Sequence, residues 1–163
     1  MRKIRTAVLT QDGPNRFRAT TGTGRTLVFG DEAEQNEHSP METLAATAAA
    51  CSAMDVVSIL AKKRQVLTSY VIEAKADQRD EYPQVFTRID IVHILEGTVL
   101  LESAVRRAIQ LSASKYCPLS AMLSAGATEV HHGFRLRCTG AEPKEASGEV
   151  IVTGPNRPAD IVP

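Results

Sequence analysis

A chain of 163 residues is long enough to bury one ordinary hydrophobic core without disulfide or metal staples. Its 19 Lys plus Arg balance 19 Asp plus Glu, so no net field recommends nucleic acid or an anionic membrane as a partner. The three cysteines, Cys51, Cys117 and Cys138, are too few and too far apart for a stapled secreted scaffold, and the odd count points to a reducing compartment. MRKIRTAVLTQDG lacks the apolar core of a signal peptide, and Glu42 and Asp55 interrupt the longest apolar run, so the chain reads as soluble and cytoplasmic.

Lys3 to Gln11 alternates apolar and polar residues, as a half-exposed strand does. Asp12-Gly13-Pro14-Asn15 is a turn, a second strand runs near Arg16 to Thr21, Gly22-Thr23-Gly24 turns again, and Arg25 to Phe29 gives a third strand. The chain therefore opens with a small antiparallel meander. The acidic, aperiodic segment from Gly30 to His38 is a loop.

A helix follows from Ser39 to Lys63. Ser39 is its N-cap, Pro40 its first helical residue, and Glu42 completes a capping box, which accounts for that carboxylate without a catalytic role. Lys62, Lys63 and Arg64 suit the negative end of its dipole. From Leu44 to Leu60 nearly every residue is small or apolar, so the helix needs cover on all sides.

Tyr70 to Asp77 and Val85 to Leu95 read as strands joined through QRDEYP, and Gly97-Thr98 introduces a second helical pattern. Lys115-Tyr116-Cys117-Pro118 breaks that helix, and a short one restarts from Leu119 to Ala125 with Pro118 at its first position. Thr128 to Thr139 closes the domain as a strand. Residues 1–139 thus form a single domain, and residues 140–163, rich in Gly, Pro, Glu and Ala, are a mobile or loosely docked tail. Strands not strictly alternating with helices predict an α+β domain with antiparallel sheet. One sheet and one further helix would not cover the central helix, so a homodimer is expected.

Cys51 and Cys117 both lie on helices that must pack in the same small core. Cys117, as N-cap of the short helix, faces free N–H groups that favour a thiolate. Cys51 lies mid-helix and would need a nearby cation, for which Arg16, Arg18 and Arg25 of the meander are the candidates. A lone buried cysteine is otherwise an inert small hydrophobe, the reading favoured for Cys138. Asp55, one turn after Cys51, is either an interface contact or a neighbour of the thiol that would raise its pKa. His131 and His132 point to opposite faces of a strand and cannot chelate one ion as a pair, so no metal site is expected.

SPMETL followed by AAACSAMDVVSIL, and later LSASKYCPLSAML, resemble the OsmC/Ohr family, especially its YhfA-like branch, over about residues 25–137. The resemblance implies an OsmC-like fold, an intertwined homodimer with antiparallel sheets wrapped around long central helices. It also implies a thiol peroxidase for small organic hydroperoxides, with Cys51 peroxidatic, Cys117 resolving, and an external dithiol as reductant in place of any bound cofactor. In the organic hydroperoxide resistance branch a glutamate follows the proline and holds an arginine over the thiolate; here that position is Met41, and Arg25 is the nearest upstream arginine. A non-catalytic dimer that binds a small apolar ligand or senses redox state is the alternative. A cysteine hydrolase would need His38, His93, His131 or His132 beside Cys51.

Overall fold

Apolar and polar residues alternating at the start of the chain fold into the meander expected of them. In the computed structural model, which describes residues 3–30 and 36–155, β1 (Ala7–Gly13), β2 (Arg16–Thr21) and β3 (Thr26–Phe29) form an antiparallel sheet in that order. Asn15 makes the first turn at φ 51°, a left-handed geometry that Asn tolerates. Val8 and Leu9 of β1 stay exposed. The chain divides into two compact units, residues 1–44 and 45–163, where a single domain over 1–139 is the expectation from sequence.

The long helix α1 runs from Pro40 to Lys62, within a residue of its predicted ends. Thr43 N–H bonds the Ser39 carbonyl at 2.9 Å, so the helical ladder begins where the Ser-Pro pair sets it. At the other end Arg64 takes φ 55°, and the N–H groups of Arg64 and Gln65 close back on the carbonyls of Ala61 and Leu60, both at 3.0 Å. This is the Schellman arrangement with an arginine where glycine is usual.

The second unit holds a four-stranded sheet, β4 (Val66–Gln78), β5 (Phe86–Val99), β6 (Glu129–Cys138) and β7 (Lys144–Thr153), in sequential order. The α+β class is as predicted, with one difference in pairing: β5 and β6 run parallel, Arg88 opposite Glu129 through Gly97 opposite Cys138. A parallel pair needs a crossover, supplied by α2 (Glu102–Leu111), a π turn at Ser112–Tyr116 and α3 (Pro118–Ser124). Gly97 ends up inside β5 rather than opening a helix, because the backbone of β4 passes so close that a Cβ there would meet the Val66 carbonyl.

The tail expected from Gly140 is corrected in its first part: residues 144–153 are strand β7, paired antiparallel with β6 from Val130–Thr153 to Cys138–Lys144. Ile151 and Val152 are buried there, and the apolar patch too short to read as a strand on its own is stabilised by its partner. The rest of the expected tail, residues 156–163, lies outside the described residues.

Ile89, Ile91, His93 and Leu95 of β5, and Val130, His132, Phe134 and Leu136 of β6, face inward at every second position. Val56 and Leu60 of α1 join Leu95, Val105, Ala108, Ile109 and Phe134 in one core cluster. The opposite side of α1 is bare. Ala46, Ala50, Met54, Val57 and Ala61, at successive turns, are all exposed, Met54 to 75%. By length and composition α1 could cross a bilayer, since an 18-residue window reaches a mean hydropathy of 1.8, and only 28% of that window is buried.

Candidate functional site

Pro118 determines where the second thiol sits. The residue before a proline avoids helical geometry, and Cys117 accordingly takes φ −75° and ψ 106°, ending the π turn and capping α3. Its N–H donates to the Ser112 carbonyl at 2.8 Å, and its Sγ accepts the Ser120 N–H at 3.4 Å. Cys117 is buried, and α1 presents Cys51, half-buried, to it.

The two free thiols lie close enough to act on one another, and the Leu119 backbone lies close enough to favour the Cys51 thiolate. In the first turn of α3 the Ser120 N–H is spent on the Cys117 sulfur, and the Leu119 backbone acts on Cys51. The Cys51 thiol is nevertheless pushed up to about 11, chiefly by burial, then by the neighbouring Cys117, with Asp55 adding a little and Leu119 opposing. The predicted juxtaposition of the pair, and the Cys117 cap, are both present. Cys138 sits apart at the end of β6, half-buried, its thiol 3.5 Å from the Thr98 carbonyl.

Arg25 lies in the β2–β3 turn of the first unit, where its N–H bonds Thr21 Oγ1 at 3.2 Å and its carbonyl accepts the Thr21 N–H at 2.8 Å. Arg16 and Arg18 both pair with Asp12, at 3.1 and 3.0 Å. Arg25 makes no ion pair among the described residues. Glu42 is exposed in the first turn of α1.

A buried polar chain beneath the thiols escapes sequence reading. Asp55 Oδ2 accepts from Ser112 Oγ at 3.1 Å, Ser112 Oγ lies 3.3 Å from Ser52 Oγ, and Ser52 Oγ lies 3.4 Å from His93 Nε2. His93 Nδ1 is in turn 2.6 Å from the Tyr70 hydroxyl. A second arm joins His132 Nε2 to Ser120 Oγ at 3.4 Å, and Ser120 is the residue whose N–H holds Cys117. The His93 and His132 rings stack with centroids 6.1 Å apart. Burial drives His93 down to about 3, helped by His132, and His132 down to about 4, helped by His131; burial also raises Tyr70.

His132 thus meets the hydroxyl of the residue whose N–H holds Cys117, and His93 reaches Asp55 through Ser52 and Ser112. His93 bonds Ser52 and Tyr70 rather than Cys51. The one legible trace of this network is a histidine in each inward-facing apolar row, Ile89-Ile91-His93-Leu95 and Val130-His132-Phe134-Leu136. His131, on the other face of β6, lies between Glu129 and Glu149, and no group of three or more ligating side chains among the described residues has metal-binding geometry.

The class of protein is defined by an α+β chain with a long helix carrying one thiol mid-way and a short helix capped by a second. The OsmC-like protein family model matches residues 33–133, and this chain belongs to that family. Protein YhfA of Escherichia coli (strain K12) is 36% identical over 120 residues, which span 74% of this chain and 89% of that protein. The crystal structure of a hypothetical protein from Aquifex aeolicus VF5 superposes with a TM-score of 0.76 at 27% identity, covering 84% of this chain and 98% of its own. An organic hydroperoxide resistance protein from Elizabethkingia anophelis shares the fold at a TM-score of 0.63 and 15% identity, covering 85% of this chain and all of its own, 100%.

Proposed function

We propose that this chain is a cysteine-based thiol peroxidase that reduces organic hydroperoxides in the cytoplasm, acting as a homodimer. The observation that carries the reading is the neighbouring placement of Cys51 and Cys117, two free thiols supplied by different helices, with the first turn of α3 holding Cys117 and acting on Cys51. The Cys51 thiolate attacks the distal peroxide oxygen. An S–O bond forms as the O–O bond breaks, the departing alkoxide takes up the proton lost by the thiol, and Cys51 becomes a sulfenic acid. The Cys117 thiol then attacks that sulfur, water leaves, and the disulfide is returned to two thiols by an external dithiol, itself oxidised.

A thiol held near 11 is mostly protonated at neutral pH, so the reaction needs a cation beside it. Arg25 is the candidate, because Arg16 and Arg18 are already engaged by Asp12. The bare apolar face of α1 supports the homodimer: Ala46, Ala50 and Ala61 are small enough for a second helix to approach closely, and Met54 and Val57 supply the apolar area. The name of the Elizabethkingia fold relative is consistent with the substrate class.

The raised Cys51 thiol favours one other reading, a slow redox sensor built on the same two cysteines. Hydroperoxide consumption with a dithiol reductant separates them. Turnover in the native protein, lost in Cys51→Ser and reduced in Arg25→Ala, supports the peroxidase; a native rate no faster than that of Cys51→Ser rules it out. Intact mass after mild hydroperoxide treatment detects the sensor, as loss of two hydrogens that Cys117→Ser prevents.

A further inference from the structure

We infer that the chain Tyr70–His93–Ser52–Ser112–Asp55 is a one-directional hydrogen-bond device that keeps the Asp55 carboxylate satisfied from below, and that Ser112 and His93 are thereby positioning residues for the ionisation of Cys51. The direction follows from proton counting. An ionised carboxylate only accepts, so Ser112 donates its single hydroxyl proton to Asp55 at 3.1 Å. The Ser112 oxygen must then accept from Ser52, 3.3 Å away, and Ser52, its own proton spent, must accept from His93 Nε2 at 3.4 Å. A neutral imidazole that donates from Nε2 accepts at Nδ1, where the Tyr70 hydroxyl lies at 2.6 Å. Every donor is used once, and the dipoles all point toward Asp55.

The consequence is electrostatic. Asp55 stands one turn beyond Cys51 on α1, and its negative charge opposes ionisation of the thiol. A hydroxyl aimed into the carboxylate damps that charge and holds it on the Ser112 side. Ser112 also accepts the Cys117 N–H on its carbonyl, at 2.8 Å, so one residue ties the cap bearing the second thiol to the carboxylate beside the first. The titratable and charged groups that bear on this assembly are Cys117, Asp55, Tyr70, His93 and His132. Lys62, Lys63 and Tyr116 line, with Asp55, a cavity of about 320 Å³ next to it.

The inference rests on Cys51 being the reacting thiol and not on peroxide turnover, so it is tested through alkylation. The rate of iodoacetamide modification of Cys51 is followed against pH in a Cys117→Ser, Cys138→Ser background. Asp55→Asn should speed alkylation at pH 8 by about two- to threefold, the effect of removing the smallest of the contributions that raise the thiol. Ser112→Ala should slow it by up to about twofold by removing the donor. In the Asp55→Asn background Ser112→Ala should have no effect. Tyr70→Phe, a conservative change, should act in the same direction as Ser112→Ala, and ring ¹⁵N shifts should report the Nε2–H tautomer of His93. An unchanged profile in Ser112→Ala, a slowing that persists with Asn at 55, or an Nδ1–H tautomer at His93 would each overturn the inference, whether or not the protein reduces peroxides.

Discussion

Lowering the pH should destabilise this protein well before its carboxylates are protonated. His93 and His132 are buried, stacked on one another and neutral, held down to about 3 and about 4 in the fold. In the unfolded chain both return to about 6.5. Below that value the unfolded state binds more protons than the native one, so stability is fully present above about pH 6.5 and falls as pH drops toward the folded values. Each histidine approaches a slope of roughly 1.4 kcal/mol per pH unit, reaching half of it at about pH 6.5, so the pair removes about 3 kcal/mol between about pH 6.5 and 5. That is a large share of the 5 to 15 kcal/mol typical of a domain. Asp90 and Glu102, whose pKa values are lowered by Arg88 and Arg106, lose their contribution only below the ordinary carboxylate range and do not enter this window. Urea unfolding followed by circular dichroism at pH 7.5, 6.5, 5.5 and 5.0 measures the slope directly. His132→Gln, although less stable throughout, should lose about half of it. Equal unfolding free energies at pH 7.5 and 5.0 would refute the assignment of two neutral buried imidazoles.

Two further outcomes follow from packing. Met54→Lys places a charge in the middle of the bare stripe on α1 and should weaken self-association about 100-fold, read by light scattering across a dilution series, while the far-ultraviolet spectrum of the monomer stays unchanged. Gly97→Ala would set a methyl against the Val66 carbonyl, backbone against which nothing can yield cheaply, and should cost about 2 kcal/mol or more in thermal or urea unfolding.

Local chemistry was legible wherever a residue acts on its neighbours in the chain. Ser39-Pro40 marked the start of α1, Pro118 placed Cys117 at a cap, and the turn residues divided the meander correctly. What depended on distant partners was not. The strand at Lys144–Thr153 is polar at half of its positions and exists because β6 offers it a ladder, and the parallel pairing of β5 with β6 leaves no mark in either strand. The site divides in the same way. Both thiols could be named from the sequence, whereas Ser52, Ser112 and Tyr70 look unremarkable until the fold lines them up. A serine on an alanine-rich helix reads as a small residue, and only the histidine it meets on β5 makes it a link.

The parallel pairing of β5 and β6 has a kinetic side. Arg88 cannot find Glu129, nor Gly97 find Cys138, until the whole crossover of α2, the π turn and α3 has emerged and folded back. Closing so long a loop before any ladder bond rewards it makes this a slow contact to form. During synthesis α1 is complete long before the α3 cap that pairs with its thiol, so for that interval the helix waits with both its core-facing side and its bare side uncovered. Until then the apolar stripe on α1 is open to premature self-association, and the two cysteines meet only once α3 has been made.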